Sequence, residues 1–347
     1  MKTDSRPLLG ISVGDPGGIG PEITVKALSD PEIYRICRPL AVADGGVMRD
    51  ALRVAGLDLA LNPVAAPGEG LFRPGTLDLL DLANLAPGQL RYKQSTAAQG
   101  RASFEYVAKV IELALSGALD GTVTGPICKA SINAAGFHFA GHTEIYAEHT
   151  KTRDYAMMLV EKDFRVVHVS THVSLREACD RVKKERVLRV IQLTDAALAK
   201  FDLPVRRIAV AGLNPHAGED GLFGLEEREE IIPAIEAARA AGLHVEGPVP
   251  ADTVFCKMRG GMYDAVVVMY HDQGHIPTKL LGFQYDRASQ TWNAMSGVNV
   301  TLGLPIVRTS VDHGTAFDRA GDGTANPQSM LDALRLGAIL SSQRTRA

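Results

Sequence analysis

The sequence predicts an α/β protein with mostly parallel sheets, and two features of its 347 residues carry that prediction. Strand-like apolar runs alternate along the chain with segments of helical periodicity, as in the βαβ units from which parallel sheets are built. Several predicted strands are apolar at every position, which is typical of strands that are covered by helices on both faces. The valine-rich segment 264–270 is the clearest example.

The first predicted strand covers residues 8–13 and runs into the glycine-rich turn 14–20, after which Pro21 suits the first position of a helix. A helix over 101–118 follows from apolar residues at helical spacing. Gly242 is predicted to end the helix 226–241. Further helices are predicted over 184–200, 226–241 and 328–341, and further strands over 121–124, 155–160, 164–170, 207–213 and 264–270. The polar segment 282–297, which carries the only tryptophan, is predicted to be a surface loop.

Composition indicates a folded globular protein, with 46% hydrophobic and 22% charged residues and a net charge of −3. Since Lys and Arg are not clustered, we expect no nucleic-acid partner. No apolar run approaches the length of a membrane span, and the N-terminal residues lack the apolar core of a signal peptide. The four cysteines form no Cys-x-x-Cys pair. We therefore predict a cytoplasmic protein that does not bind membranes.

Three predicted strands each lead into a histidine, namely His172, His216 and His271. Ligands of open α/β sheets bind beyond the carboxyl ends of the strands, where these imidazoles could converge on one divalent metal ion. Three protein ligands and one open position form the usual catalytic arrangement, which lets a metal polarise a substrate oxygen. The alternative is that each histidine is an ordinary loop or capping residue.

The turn GDPGGIGPE has two interpretations. Its backbone N–H groups and the following helix could cradle a phosphate, or it could be a tight connection between a strand and a helix. It lacks both the Gly-x-Gly-x-x-Gly fingerprint of dinucleotide-binding domains and the Lys-Ser/Thr of a P-loop.

Three segments are rich in polar side chains. Those of the first could meet an anionic ligand, those of the second follow a buried strand, where packing rarely explains so many polar residues, and those of the third lie among apolar residues. In the first, Thr143 could alternatively cap a helix that begins near Glu144. In the third, the guanidinium of Arg308 suits a carboxylate or phosphate, although an ion pair with Asp312 is the alternative. The candidates are Lys129, His142, Thr143 and Glu144 in 124–149; Asp272, Gln273, His275 and Lys279 in 271–283; and Asn299, Arg308, Asp312 and His313 in 298–321.

The motifs GDPGGIGPEI, TGPICK, GHTE, NPHAGE with GLFGLEE, YHDQG and VNVTLGLPIVRTSVDHGTA occur in this order between residues 8 and 340. Together they resemble the 4-hydroxythreonine-4-phosphate dehydrogenase (PdxA) family. The resemblance implies an isocitrate/isopropylmalate dehydrogenase-like fold of two α/β/α domains with the active site in the interdomain cleft. The first domain would comprise 1–138 plus 304–347. The second, 139–303, would carry the metal ligands and the interface of a homodimer whose active site lies at that interface.

The resemblance also implies roles for single residues. One divalent ion per site, which could be zinc, magnesium, cobalt or manganese, would be bound by His172, His216 and His271. The oxidant would be NAD, with NADP as the alternative, and the residues that bind it are not assigned. The substrate would be bound by His142, Thr143, Lys279, Asn299 and Arg308.

The predicted reaction is NAD- and metal-dependent oxidation of the C3 hydroxyl of a 4-phosphorylated hydroxy acid, followed by decarboxylation. Asp252, Asp272 and Lys279 are the candidates for the catalytic base. Within the family, the chain is most similar to the branch that oxidises 4-phospho-D-threonate or 4-phospho-D-erythronate in carbohydrate metabolism. The segments that carry this similarity are RDYAMMLV, VSTHVSLR, GLFGLEE and HDQGHIPTKLLGF.

Other functions stay open from the sequence. The first alternative is 4-phosphooxy-L-threonine dehydrogenase of pyridoxal phosphate (pyridoxine) biosynthesis, and the branch that acts on a dihydrodiol of terephthalate is less similar. Segment 282–297 is longer than the family pattern, which bears on the substrate because it joins two substrate-binding positions. A metal-dependent hydrolase or lyase and a non-catalytic metabolite-binding protein are the alternatives from other classes.

Overall fold

The computed structural model describes residues 4–287 and 291–342. The chain divides into two compact units. The first comprises Met1–Arg153, Ala294–Val298 and Leu304–Ala347, and the second comprises Asp154–Asn293 and Asn299–Gly303. The domain boundaries that the family resemblance implies stay a prediction.

The strands are β1 (Leu8–Ser12), β2 (Arg38–Ala43), β3 (Ala60–Pro63), β4 (Thr76–Asp81), β5 (Gly121–Thr124), β6 (Ala156–Glu161), β7 (Phe164–His168), β8 (Ile208–Ala211), β9 (Val245–Val249), β10 (Ala265–Val268), β11 (Phe283–Asp286), β12 (Thr291–Met295), β13 (Val298–Leu302) and β14 (Val307–Val311).

The helices are α1 (Gly20–Leu28), α2 (Ile33–Ile36), α3 (Gly45–Ala55), α4 (Ala97–Leu115), α5 (Lys129–Ala134), α6 (His142–Thr150), α7 (Leu175–Asp180), α8 (Lys184–Leu198), α9 (Ile232–Ala240), α10 (Ala251–Arg259), α11 (His271–Gly282) and α12 (Gln328–Ser341). Short 3-10 turns cover Pro67–Glu69 and Pro215–Gly221, and a π-helical turn covers Glu227–Ile231.

The first unit is built on parallel strands in the order β3-β4-β2-β1-β5-β14. Side chains of a strand point alternately to its two faces, and helices cover both faces here. On one face, Leu8 and Leu40 share a buried cluster with Val107 and Val110 of α4. On the other face, α12 packs closely, because Gly337 faces Leu9 of β1 and Val123 of β5.

The second unit has the strand order β13-β6-β7-β10-β8-β9. Strands β7, β10, β8 and β9 are parallel to their neighbours, whereas β6 runs antiparallel to β7. Val254 and Met258 of α10 pack with Ala209, Val266 and other residues of one face. Helix α8 also contacts β7, β8 and β10. The predicted α/β fold with mostly parallel sheets is therefore confirmed.

Most predicted elements match the structure within a few residues, and three differ. The predicted helix 226–241 begins as the π-helical turn and becomes α-helical only at Ile232. Segment 271–283, treated above only as polar residues after a strand, is mostly helix α11.

The prediction that 282–297 is a loop is wrong, although Gln284, Tyr285 and Arg287 are exposed, as expected of a surface segment. Strands β11 and β12 form a two-stranded sheet within it, while 288–290 lie outside the described residues. Polarity alone does not exclude strands, because backbone pairing satisfies the N–H and C=O groups whatever the side chains are. No helix in the described part of the chain is both long and apolar enough to cross a bilayer.

Candidate active site

The carboxyl ends of β7, β10 and β8 lie side by side in the second unit, because β10 pairs in parallel with both neighbours. His172 follows β7, His271 begins α11 directly after β10, and His216 lies in the turn after β8. The three predicted metal ligands therefore follow adjacent strands at the carboxyl edge of one sheet.

His172 and His271 are brought together. Their ring centroids are 5.6 Å apart, with 47° between the ring planes. Two imidazoles bound to one tetrahedral zinc ion would have centroids about 5 Å apart, given zinc–nitrogen bonds of about 2 Å. The observed pair therefore fits a shared ion.

In two of the predicted metal ligands, Nδ1 of the imidazole contacts a carboxylate. Nδ1 of His271 lies 2.7 Å from Oδ1 of Asp272, and Nδ1 of His216 lies 2.8 Å from Oε2 of Glu219. A carboxylate on one ring nitrogen is the usual support for a histidine that binds metal through the other. The contact with Glu219 raises the pKa of His216, and Asp252 adds to this effect.

The ring of His216 packs against a different residue from the rings of His172 and His271. It packs edge-on against Phe223, with centroids 5.9 Å apart, and its side chain is 65% exposed. Among residues 4–287 and 291–342, no three His, Cys, Asp or Glu side chains already form a group that could hold a metal ion. The chemistry of the donors fits a metal, and the metal site stays a prediction.

His275 also lies at this edge, and the sequence analysis named it only among the polar residues that follow a buried strand. Its ring stacks on His271 with centroids 3.6 Å apart and planes 10° apart. Its Nδ1 donates to the carbonyl oxygen of His271 at 2.9 Å, and burial lowers its pKa to about 4. The signal that could have found it is the spacing of His271, His275 and Lys279, which places them on one face of a helix.

The other predicted site residues of the second unit are more scattered. Nζ of Lys279 lies 5.0 Å from the ring centroid of Phe283. Nδ2 of Asn299 donates to Sδ of Met157 at 2.9 Å, while its buried Oδ1 meets no hydrogen-bond partner within the described residues. Asp252 is exposed in the first turn of α10.

The first unit holds the remaining predicted substrate residues, His142, Thr143 and Arg308. Arg308 of β14 is 3% exposed and donates from Nη2 to Oγ1 of Thr124 at 3.0 Å, with its guanidinium 5.5 Å from the ring centroid of Tyr146. Burial lowers the pKa of Arg308 to about 10, and burial beside Arg308 holds the pKa of His142 well below its usual range. A bound anion would offset the cost of burying this cation.

Thr143 does not cap α6. The helix begins at His142, and its N-cap residue is Gly141, which has no side chain to cap it. The capping alternative was wrong because the helix starts earlier than the polar run suggests, and Thr143 lies inside its first turn.

The glycine-rich turn 14–20 is buried, and four of its N–H groups donate to other atoms of the chain. Asp15 N donates to Pro126 O at 2.9 Å, and Ile19 N donates to Thr315 O at 3.0 Å. Gly17 N and Gly18 N donate to Oδ1 and O of Asp15. These contacts support the tight connection between strand and helix, and no residue is assigned to NAD.

Comparison with known proteins matches the whole chain to one family. The family model described as "Pyridoxal phosphate biosynthetic protein PdxA" matches residues 35–337. A Cupriavidus necator protein named D-threonate 4-phosphate dehydrogenase is 45% identical over 99% of this chain and 99% of its own. A Symbiobacterium thermophilum protein that carries the same name provisionally is 48% identical over 99% and 100%. A Desulforapulum autotrophicum protein named 4-hydroxythreonine-4-phosphate dehydrogenase is 45% identical over 97% and 96%.

Solved structures give the same result. A 4-hydroxythreonine-4-phosphate dehydrogenase from Klebsiella pneumoniae is 41% identical, with a TM-score of 0.85 over 96% of this chain and 99% of that one. A terephthalate 1,2-cis-dihydrodiol dehydrogenase from Burkholderia xenovorans is 30% identical, with a TM-score of 0.68 over 96% and 98%.

Proposed function

This chain is a dehydrogenase of the PdxA family that acts on phosphorylated hydroxy acids, and we propose that within the family it is a 4-phospho-D-threonate/4-phospho-D-erythronate dehydrogenase. The observation that carries the proposal is full-length identity of 48% and 45% to two relatives named for D-threonate 4-phosphate. The second candidate is oxidation of 4-phosphooxy-L-threonine, because one relative at 45% identity is named for that activity.

Two cofactors belong to the proposal. We assign one divalent ion, which could be zinc, magnesium, cobalt or manganese, to His172, His216 and His271, and NAD, or alternatively NADP, as the oxidant. When bound, the metal would polarise the C3 hydroxyl and the nicotinamide would accept the hydride. The paired rings of His172 and His271 and the carboxylate contacts of His216 and His271 support the metal assignment.

The residues of the chain would bind the substrate and move its protons. Buried Arg308, with His142 and Thr143, suits an anionic group of the substrate, and Lys279 and Asn299 of the second unit are the other proposed contacts. Asp272, Asp252 and Lys279 are the proposed acceptors for the proton of the C3 hydroxyl; Asp272 contacts Nδ1 of His271, and Asp252 raises the pKa of His216.

Loss of that proton and of a hydride from C3 leaves a β-keto acid, which then loses its carboxylate as CO₂. Phosphothreonate would yield dihydroxyacetone phosphate, whereas phosphooxythreonine would yield 3-amino-2-oxopropyl phosphate. A positively charged side chain close to C2 and C3 would favour the decarboxylation, because it stabilises the enolate that forms when CO₂ leaves.

We further propose a cytoplasmic homodimer with the active site at the subunit interface. Helix α11 carries two exposed apolar side chains, Ile276 at 65% and Leu280 at 80%. Neighbouring exposed apolar residues on one helix are typical of surfaces that another protein covers.

The direct test measures NADH formation with 4-phospho-D-threonate and, in parallel, with 4-phosphooxy-L-threonine. Each assay is run as purified, after chelation, and after zinc is returned. We expect chelator-sensitive turnover that prefers the threonate, and preference for the threonine compound would move the protein to the second candidate. Turnover without NAD would indicate a hydrolase or lyase, while thermal stabilisation by both compounds without turnover would indicate a binding protein.

A further inference from the structure

We propose that Glu227 and Gln273 are positioning residues that hold the turn carrying His216 at the carboxyl edge of the second-unit sheet. The inference rests on the proposed function, because His216 is one of the three imidazoles assigned to the metal. Glu227 was not singled out from the sequence, and Gln273 was named only among the polar residues that follow a buried strand.

The turn itself has a conformation that its residues do not favour. His216, Ala217, Gly218, Glu219 and Asp220 all have positive φ, with values of 52°, 53°, 83°, 42° and 53°. Left-handed backbone is disfavoured for every residue with a Cβ, and a run of such residues persists only where the surroundings enforce it. The question is therefore which contacts hold this turn.

Glu227 provides the first set of contacts. Its side chain is 2% exposed, at the start of the π-helical turn. Oε1 accepts hydrogen bonds from Leu213 N and Asn214 N, both at 2.7 Å, and Oε2 accepts from Nδ2 of Asn214 at 2.8 Å. All three partners are donors, so the position requires two acceptor oxygens, which a carboxylate has and an amide lacks.

The same carboxylate also packs against the turn. A Cβ at Gly218 would lie 2.8 Å from Oε2 of Glu227, and one at Gly212 would lie 3.3 Å from Oε1. Glu227 therefore lies close to both ends of the segment 212–218 and hydrogen-bonds to Leu213 and Asn214 between them. The segment cannot shift as a unit without breaking buried hydrogen bonds.

Gln273 provides the second set. It is 7% exposed, and its Nε2 donates to Gly212 O at 2.8 Å while its Oε1 accepts from Met269 N at 2.7 Å. Gly212 follows β8 and Met269 follows β10, so one side-chain amide ties together the strand ends from which His216 and His271 leave. The position needs a donor and an acceptor at once, and an amide provides both.

Two variants of unchanged size test these requirements. Glu227→Gln turns one acceptor into a donor that faces donors, and Gln273→Glu turns the donor to Gly212 O into an acceptor. Glu229→Gln is the matched control, because Glu229 belongs to the same π-helical turn but is exposed. His216→Ala shows how loss of the imidazole itself changes the hydrogen–deuterium exchange and the Co²⁺ affinity.

Two readouts are made on the full-length protein. Hydrogen–deuterium exchange of segment 212–221 in the metal-free protein reports whether the turn is held, with β1 and β5 of the first unit as internal reference. Calorimetric titration with Co²⁺ reports metal affinity. We expect both variants to exchange faster in 212–221, with the reference strands unchanged, and to bind Co²⁺ about tenfold or more weakly, as is usual for losses of supporting contacts. Glu229→Gln should match the unmodified protein in both.

Each failure has its own signature. Unchanged exchange of 212–221 in both variants would overturn the positioning role, whether or not metal binds. Faster exchange with unaltered Co²⁺ affinity would show that the turn is held for some other purpose and would also overturn the proposal. If the unmodified protein binds Co²⁺ no better than His216→Ala, the metal site fails, and with it the premise of the inference, while the exchange data still show what holds the turn.

Discussion

The imidazoles at the carboxyl edge of the second unit differ in how they are supported. His271 is held by Asp272 on its Nδ1 and by the stacked ring of His275, which donates to its backbone carbonyl. His216 is held by Glu219 in a left-handed turn. In both residues Nε2 is the nitrogen that these carboxylates leave for another ligand, which is the arrangement that metal-binding histidines use.

Replacing His216 should separate chemistry from folding. Because the side chain is 65% exposed, His216→Ala removes a proposed ligand and little packing. We expect turnover of the phosphorylated substrate to fall at least ~100-fold with a melting temperature close to that of the unmodified protein. Exposed His244→Ala should leave both unchanged. Near-normal turnover of His216→Ala without bound metal would refute the assignment.

His168 is expected to make the free energy of unfolding depend on pH. It is fully buried, and burial lowers its pKa to about 3, with a smaller effect of His275. Between its unfolded pKa near 6.5 and the folded value, only the unfolded chain takes up the proton, so its contribution to stability is complete above pH 6.5 and is lost as pH falls. The loss is about 1.4 kcal/mol per pH unit for one proton.

His168→Asn should therefore flatten the pH dependence. Between pH 6.5 and 5 the free energy of unfolding should fall by about 2 kcal/mol less than in the unmodified protein. Denaturant titrations at the two pH values measure it, with exposed His244→Asn as control. Equal decreases in all three proteins would contradict the prediction.

At the scale of elements, the connection between β1 and α1 depends on backbone that no side chain can enter. Gly14 has a φ of 87°, and a Cβ there would lie 2.2 Å from Pro126 O. The turn packs against loops from elsewhere in the first unit through Pro126 and Thr315. Its glycines serve this packing, because a side chain at Gly14 would collide with the backbone of Pro126.

Gly14→Ala should thus be far more damaging than an alanine at a glycine with similar φ and open space. Gly56, which ends α3 with a φ of 64°, is that control, because nothing lies within 4 Å of its ideal Cβ position. We expect a loss of about 3 kcal/mol or more at Gly14 and about 1 kcal/mol at Gly56. Similar losses in denaturant titrations would mean that the turn relaxes more easily than its contacts indicate.

Helix α11 shows how one element serves two surfaces. His271, His275 and Lys279 share one face, while exposed Ile276 and Leu280 lie toward the other. The helix is hard to predict because Gly274 and Pro277 disfavour helices, but Gly274 is needed where a Cβ would lie 2.5 Å from Nε2 of His168. Tertiary packing therefore overrides local preference in this segment.

At the scale of the molecule, the predicted site residues fall into two groups. The first unit contributes the buried cation Arg308 with His142 and Thr143, and the second contributes the histidines with Lys279 and Asn299. The residues of the first unit suit an anionic group, and the histidines of the second unit suit a metal ion.

The proposed homodimer is tested on α11. Leu280→Glu places a charge at a side chain that is 80% exposed, so it should leave the protomer folded and convert the dimer to a monomer in sedimentation experiments. Leu115→Glu, at an exposed position that ends α4 in the first unit, should leave assembly unchanged. An unmodified protein that sediments as a monomer would refute the dimer, and a Leu280→Glu variant that remains dimeric would place the interface elsewhere.

The sequence by itself determined the α/β architecture, the family and the three histidines at strand ends. These properties are local or ordered along the chain: apolar periodicity sets the type of an element, and the end of a strand sets the edge at which the next residue emerges. The predicted strand 121–124 and helix 328–341 coincide with β5 and α12 for this reason.

Only the tertiary structure decided how the site is supported. Two N–H groups of the glycine-rich turn donate to Pro126 and Thr315, Glu227 accepts from the segment that leads into the turn of His216, and Gln273 joins two strand ends. These partners are far apart in sequence. Whether a polar group there binds a ligand or only satisfies the backbone depends on which distant atoms the fold brings within hydrogen-bond distance, and no local pattern records that.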